Sequence, residues 1–129
     1  MSRNLNQEEK EKFLEAYENG EFREEAATKR IIYETPNTVG AIWCMKPGQC
    51  LPIHSHECAD DIWIVIEGWA EFYPECGEKV LIKAGDIVVA RAGEKHGMTN
   101  TSDEDFVMLG IAGPTPIGFI SHEAQHMIV

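Results

Sequence analysis

From Arg30 onward, apolar and polar residues alternate in short runs, and each run closes on turn residues. The period is two, which predicts strands over residues 30–34, 40–46, 53–56, 61–66, 69–73, 79–83, 87–91, 95–100 and 106–111. Between them stand Thr35-Pro36-Asn37, Lys46-Pro47-Gly48, Glu67-Gly68, Cys76-Gly77, Ala84-Gly85 and Ala92-Gly93. This succession of short strands predicts an all-β antiparallel sandwich or barrel. No helical segments alternate with the strands, so a parallel α/β fold is disfavoured.

Upstream the pattern changes. Residues 7–18 predict a helix, with Asn6 as cap, Glu9 completing a capping box, and Phe13, Leu14 and Tyr17 on one stripe. Asn19-Gly20 is its stop signal, and residues 21–29 predict a second, shorter helical stretch. Residues 1–29 are thus expected to form a helical arm on the barrel made by residues 30–129. The arm either packs on the barrel's outside or forms a dimer contact. The segment from Gly113 to Val129, interrupted by Pro114 and Pro116, either wraps back over the barrel or reaches a partner subunit.

The chain has 129 residues, 43% of them hydrophobic, which suits one domain with one core. Its formal net charge of -11 disfavours nucleic acid and anionic membranes as partners. No apolar run approaches the roughly 18–20 residues of a membrane span, and the N-terminal residues lack a signal-peptide core. A cytoplasmic protein is expected. Cys44, Cys50, Cys58 and Cys76 form no CxxC pair, so free thiols are expected. Cys50 and Cys58 flank a histidine pair, which leaves open that one of them stands near a bound metal.

Candidate chemistry gathers in two glycine-framed segments. The first is Gly48-x5-His54-x-His56-x4-Asp61-x6-Gly68; the second is Gly85-x5-Arg91-x-Gly93-x2-His96-x3-Asn100. Residues i and i+2 of a strand share a face, so both His54 and His56 can reach one interior point. Asp61 opens the following strand and His96 comes from a later one. Three imidazoles and a carboxylate converging from separate strands suit one divalent transition ion, with Fe, Mn, Ni, Zn, Co and Cu all compatible. Asp60 competes with Asp61 as the carboxylate, and a three-histidine site is the further alternative. Trp63 shares parity with Asp61, which nominates it as a pocket wall. Asn100 is expected to fix a turn through its side chain, and Gly48, Gly68, Gly85 and Gly93 to serve turns or close approaches.

The two segments together resemble the cupin motifs, Gly-x5-His-x-His-x3,4-Glu-x6-Gly and Gly-x5-Pro-x-Gly-x2-His-x3-Asn. The resemblance covers Gly48 to Asn100. It implies a double-stranded β-helix, or jelly-roll barrel, often homodimeric, with His54, His56, Asp61 and His96 in the places of the metal ligands. Two positions depart from the pattern. Asp61 stands where the family has Glu, one methylene shorter. Arg91 stands where the family has Pro; it either points to solvent or places a guanidinium at the barrel mouth to bind a substrate carboxylate or phosphate.

His122-Glu123-Ala124-Gln125-His126 spells a zinc-protease pattern, but that chemistry needs a helical scaffold and a third ligand beyond it. It is read as a chance match in an exposed tail. Two functions stay open. The first is a metal-dependent enzyme, an oxygenase or a Lewis-acid isomerase or lyase, acting on a small oxygen-rich acid, with Glu67, Tyr73 or a metal-bound water as candidates for proton transfer. The second is a non-catalytic module that binds or senses a small molecule.

Overall fold

The computed structural model describes residues 4–10, 12, 14–15 and 20–122. Its strands form two five-stranded antiparallel sheets facing each other. The strands are β1 (Thr28–Glu34), β2 (Val39–Met45), β3 (Cys50–Ser55), β4 (Asp60–Glu67), β5 (Trp69–Tyr73), β6 (Val80–Lys83), β7 (Ile87–Ala90), β8 (His96–Thr99), β9 (Phe106–Gly113) and β10 (Ile120–Ser121). One sheet runs β1-β2-β9-β4-β7 and the other β10-β3-β8-β5-β6. The non-consecutive neighbours make this a double-stranded β-helix. Every strand expected from the period-two pattern is present, and β10 is an addition from the tail.

Alternation decides what each strand buries. Trp63, Val65, Phe72, Met45, Met98, Phe106 and Met108 point between the sheets and form the main core. A smaller cluster of Ile42, Cys44 and Val107 lies under Phe22, Ile32, Ile66 and Leu109. Phe22 belongs to the segment that precedes β1, so this segment covers a face of the first sheet. The burial of Cys44 raises its thiol pKa.

The second helical stretch expected over residues 21–29 is not there. Residues 21–27 are irregular with a bend, and β1 begins at Thr28. Tertiary contacts outweigh the helical propensity of this short run. The Gln49 amide donates to the Arg23 and Glu24 carbonyls at 2.7 and 3.2 Å, and Lys46 pairs with Glu24 at 2.9 Å. Of the first expected helix, the described part is α1 (Gln7–Lys10), capped by Asn6, whose Oδ1 accepts from the Glu9 N–H at 2.8 Å. Phe13 and Tyr17 of its apolar stripe lie outside the described residues.

Two features of the frame hold the ends of strands. Gly68 turns β4 into β5 with φ of 80°, and a Cβ there would stand 2.3 Å from the Asp105 carbonyl oxygen, so both its conformation and its space require glycine. Asn100, fully buried, donates to the Met45 and Glu104 carbonyls at 3.1 and 2.8 Å and accepts from the Ser102 N–H and hydroxyl. It fixes the loop after β8 through its side chain, as expected, and does not line the cavity described below.

Candidate metal centre

His54 lies on β3, His56 one residue past its end, Asp61 at the start of β4 and His96 at the start of β8. The two sheets bring these elements together, and all four side chains are buried. One ligand atom from each lies within 4.8 Å of the others. Asp61 Oδ2 stands 3.3 Å from His56 Nε2 and 3.2 Å from His96 Nε2. Two donors each about 2.1 Å from a common ion stand ~3.0 Å apart at a right angle and ~3.4 Å apart at the tetrahedral angle, so these separations suit shared coordination.

The orientation of the imidazoles is set from behind. His54 Nδ1 is 2.9 Å from the Pro52 carbonyl, His56 Nδ1 is 2.6 Å from the Gly118 carbonyl, and His96 Nδ1 is 3.0 Å from the Glu94 carbonyl. A carbonyl only accepts, so each Nδ1 carries the proton and each neutral ring turns an Nε2 lone pair inward. Neutral His56 and His96 would then set lone pairs against an anionic oxygen. That conflict is relieved in two ways: an imidazolium donates to Asp61, or a cation sits among the donors.

Electrostatics follow this geometry. Burial, aided by the neighbouring imidazoles, pushes His54 down to about 4. The hydrogen bond to Asp61 raises His56 above the ordinary histidine value, against the effect of burial. Burial favours a higher pKa for Asp61, but the hydrogen bonds and charges of His56 and His96 override it and hold the carboxyl well below the usual range. The donor set therefore fits a divalent ion: three imidazole nitrogens and an oxygen that stays anionic.

A pH dependence comes with its sign. Protons compete with a metal for Nε2, and His56, with its raised pKa, takes one before His54, which stays neutral to about 4. Metal occupancy is therefore expected to be full above the imidazole range and to fall as pH drops from about 6.5 to about 5. Elemental analysis after dialysis at stepped pH checks this; undiminished occupancy near pH 4.5 would count against histidine ligation.

The structure separates the two aspartates. Asp60 is exposed and its Oδ1 accepts from the Ala92 N–H at 2.9 Å, while Asp61 turns inward. The shorter side chain still reaches both histidines. Trp63 is 1% exposed, in edge-to-face contact with His96 at 5.1 Å and with Phe72 at 5.4 Å. It backs the site from the core and is not part of the cavity lining. Arg91 is exposed, and the structure does not bring it to the cavity. Its backbone N–H donates to Glu94 Oε1 at 2.5 Å, a bond the family's proline cannot make. The four cysteines are unpaired and outside the ligand cluster, although Cys50 lines the cavity.

That cavity has a volume of about 770 Å³ and opens onto His54, His56 and Asp61. Its wall along the first sheet carries Lys29, Ile31, Val39, Ala41 and Trp43. Sequence reasoning missed Lys29, having placed it in a helix; its signal was the β-rich run of 28–33, in which it shares parity with Ile31. Of the two courses open to the tail, the described part wraps back over the barrel, and its contacts with the histidines were not foreseen. Phe119 stacks on His54 at 5.2 Å, the Gly118 carbonyl holds His56, and β10 pairs with Ser55 and His54. His122 ends this stretch with Nε2 3.0 Å from Ser55 Oγ; the remainder of the protease-like pattern, Glu123 and His126, lies outside the described residues.

Residues 41–112 match the cupin domain family. The chain is a cupin. It is 33% identical over 67 residues to an oxalate-binding protein of Thermotoga maritima, a stretch that is 52% of this chain and 54% of that relative, so the match spans about half of the relative's length. Among solved structures, a Klebsiella pneumoniae protein with a double-stranded β-helix domain is 30% identical with a TM-score of 0.80, over 84% of this chain and 95% of that one. A Thermotoga maritima protein described as a predicted oxalate decarboxylase is 29% identical with a TM-score of 0.57, over 60% and 67% of the respective chains. The cupin match contains all four cluster residues, His54 on β3, His56 just past it, Asp61 on β4 and His96 on β8. No helix among the described residues is long and apolar enough to cross a membrane.

Proposed function

We propose that this cupin is a metal-dependent enzyme acting on a small oxygen-rich acid, with His54, His56, Asp61 and His96 holding one divalent transition ion. The supporting observation is the set of three inward Nε2 lone pairs, each fixed by an Nδ1–H bond to a carbonyl, beside an inward carboxylate on a cavity wall. A bound ion supplies Lewis-acid polarisation of a substrate oxygen or a site for oxygen chemistry. The chain's own part is to orient and to exclude water. Trp63 braces His96 from the core, Phe119 covers His54, and the apolar wall of Ile31, Val39 and Trp43 lowers the polarity around a ligand.

Neither Glu67 nor Tyr73 lines the cavity, and the Tyr73 hydroxyl bonds to Thr99, which argues against proton transfer by either. Chemistry centred on the ion, an isomerase, lyase or oxygenase reaction, fits this shortage of separate acid–base groups. A second reading, a binding module that holds an acid without converting it, draws support from the relative named for oxalate binding.

The test loads the protein separately with Fe, Mn, Ni, Zn, Co and Cu and incubates each form with oxalate and a panel of small hydroxy- and keto-acids. Formate, carbon dioxide and oxygen uptake are followed, with calorimetry in parallel. Turnover with any metal supports the enzyme. Binding without turnover across the panel supports the module, and neither binding nor turnover overturns both.

A further inference from the structure

Lys29 is the one lysine or arginine among the residues lining the cavity, which also include Glu25, Asp61, His54 and His56. It makes no ion pair with any described residue. Its Nζ instead lies 5.7 Å from the centroid of the Trp43 ring, and Trp43 is its direct partner across β1 and β2. Gln49, a polar neighbour in the same cavity, is committed. It uses its amide on Arg23, Glu24 and the Lys46 N–H. A chain with formal net charge -11 thus carries at the cavity wall an ammonium that no described carboxylate pairs with, although Glu25 and Asp61 line the same cavity.

The register places this cation relative to the metal cluster. Asp61 pairs with Ala112, and Ala112 pairs with Val39; Val39, Ala41 and Trp43 then run along β2 on the cavity side to the Lys29 row. From β4 to β1 is three strand spacings of about 4.8 Å, the four residues from Val39 to Trp43 add about 13 Å along the strand, and the lysine side chain reaches back by roughly 6 Å, which leaves on the order of 10–15 Å between the two charged ends. Between them the wall is apolar, made of Ile31, Val39, Ala41 and Trp43.

We infer that the cavity selects an elongated dianion: one oxygen-donor end at the His54/His56/Asp61/His96 cluster, an apolar or aromatic body against Trp43 and Ile31, and a second anionic group on the Lys29 ammonium. Oxalate, a two-carbon dianion, is too short to span both ends. The inference rests on the proposed metal site for one end of the ligand, while Lys29 governs the other. Lys29 is a specificity-determining residue in this arrangement, the role that sequence reasoning gave to Arg91.

The experiment compares suberate with octanoate, equal in chain length and differing in one carboxylate. Binding to the metal-loaded protein is measured by calorimetry, and again after chelation. Lys29 is exposed, so wild-type protein is expected to prefer suberate by about two- to five-fold, the value of one ion pair in contact with solvent. Lys29→Met should abolish that preference with octanoate affinity and metal content unchanged, and Lys29→Arg should retain most of it. Equal affinity for the two acids in the wild type, or a suberate preference that persists in Lys29→Met, overturns the inference. Failure of the metal reading has a separate signature: no metal uptake, with suberate and octanoate bound alike and both weakened by Lys29→Met.

Discussion

His96→Ala is expected to yield protein that retains no metal after dialysis against a chelator. Losing even a group that merely orients a ligand costs about 10–100-fold in affinity, so losing a ligand itself should cost at least about 100-fold. His96 is 2% exposed and its Nε2 contacts Asp61, so the variant also strips a partner from a buried carboxylate. Some loss of stability is therefore expected alongside the loss of metal. His54→Ala separates the two effects. His54 makes no hydrogen bond to Asp61; it bonds to the Pro52 carbonyl and packs on Phe119. Its removal should abolish metal binding at a smaller cost in stability. Full metal content in both variants, measured by elemental analysis, would falsify the proposed centre. Asp61→Asn then decides the denticity: unchanged affinity means a three-histidine site, and a drop means that the carboxylate coordinates.

Trp63→Ala carries the largest expected effect on stability. Its side chain is 1% exposed, sits within the main core, and touches both Phe72 and His96 edge to face. Deleting a buried aromatic of this size costs about 3–5 kcal/mol, and a domain's whole stability is about 5–15 kcal/mol. Chemical denaturation should show a large fall in midpoint. Metal affinity should fall with it, because His96 loses the surface that limits its ring. Trp63→Phe keeps an aromatic face and should restore most of both. A variant that weakens ligand binding while leaving stability intact would instead place Trp63 in the ligand pocket.

How much of this was legible follows from which physics each residue obeys. His54, His56 and His96 were readable because strand alternation is local, and a pair spaced by two must share a face. The barrel strands were readable for the same reason. The six-residue step to Gly68 favoured Asp61 over Asp60, but what occupies Asp60 was not readable: its partner, the Ala92 N–H, lies 32 residues away. Arg91 illustrates a charge read in isolation. Its backbone has a local partner in Glu94 and its side chain faces solvent, whereas the cation at the cavity is Lys29, hidden in a run whose helical propensity the contacts of Phe22, Glu24 and Gln49 override. The tail was unreadable because Pro114 and Pro116 break every periodic signal, although its order arises from pairing with β3.

That pairing has a consequence for when the centre comes into being. The histidine strand is synthesised early, yet the carbonyl that orients His56 belongs to Gly118, 62 residues later, and β10 completes the strand's edge later still. A nascent chain can therefore hold both imidazoles, and even the barrel's first turns, without presenting them in the orientation a metal requires. Such long-range closure comes late in folding. If the cluster holds the proposed ion, its capture is a finishing event on an assembled barrel, and the ion seals the fold rather than nucleating it.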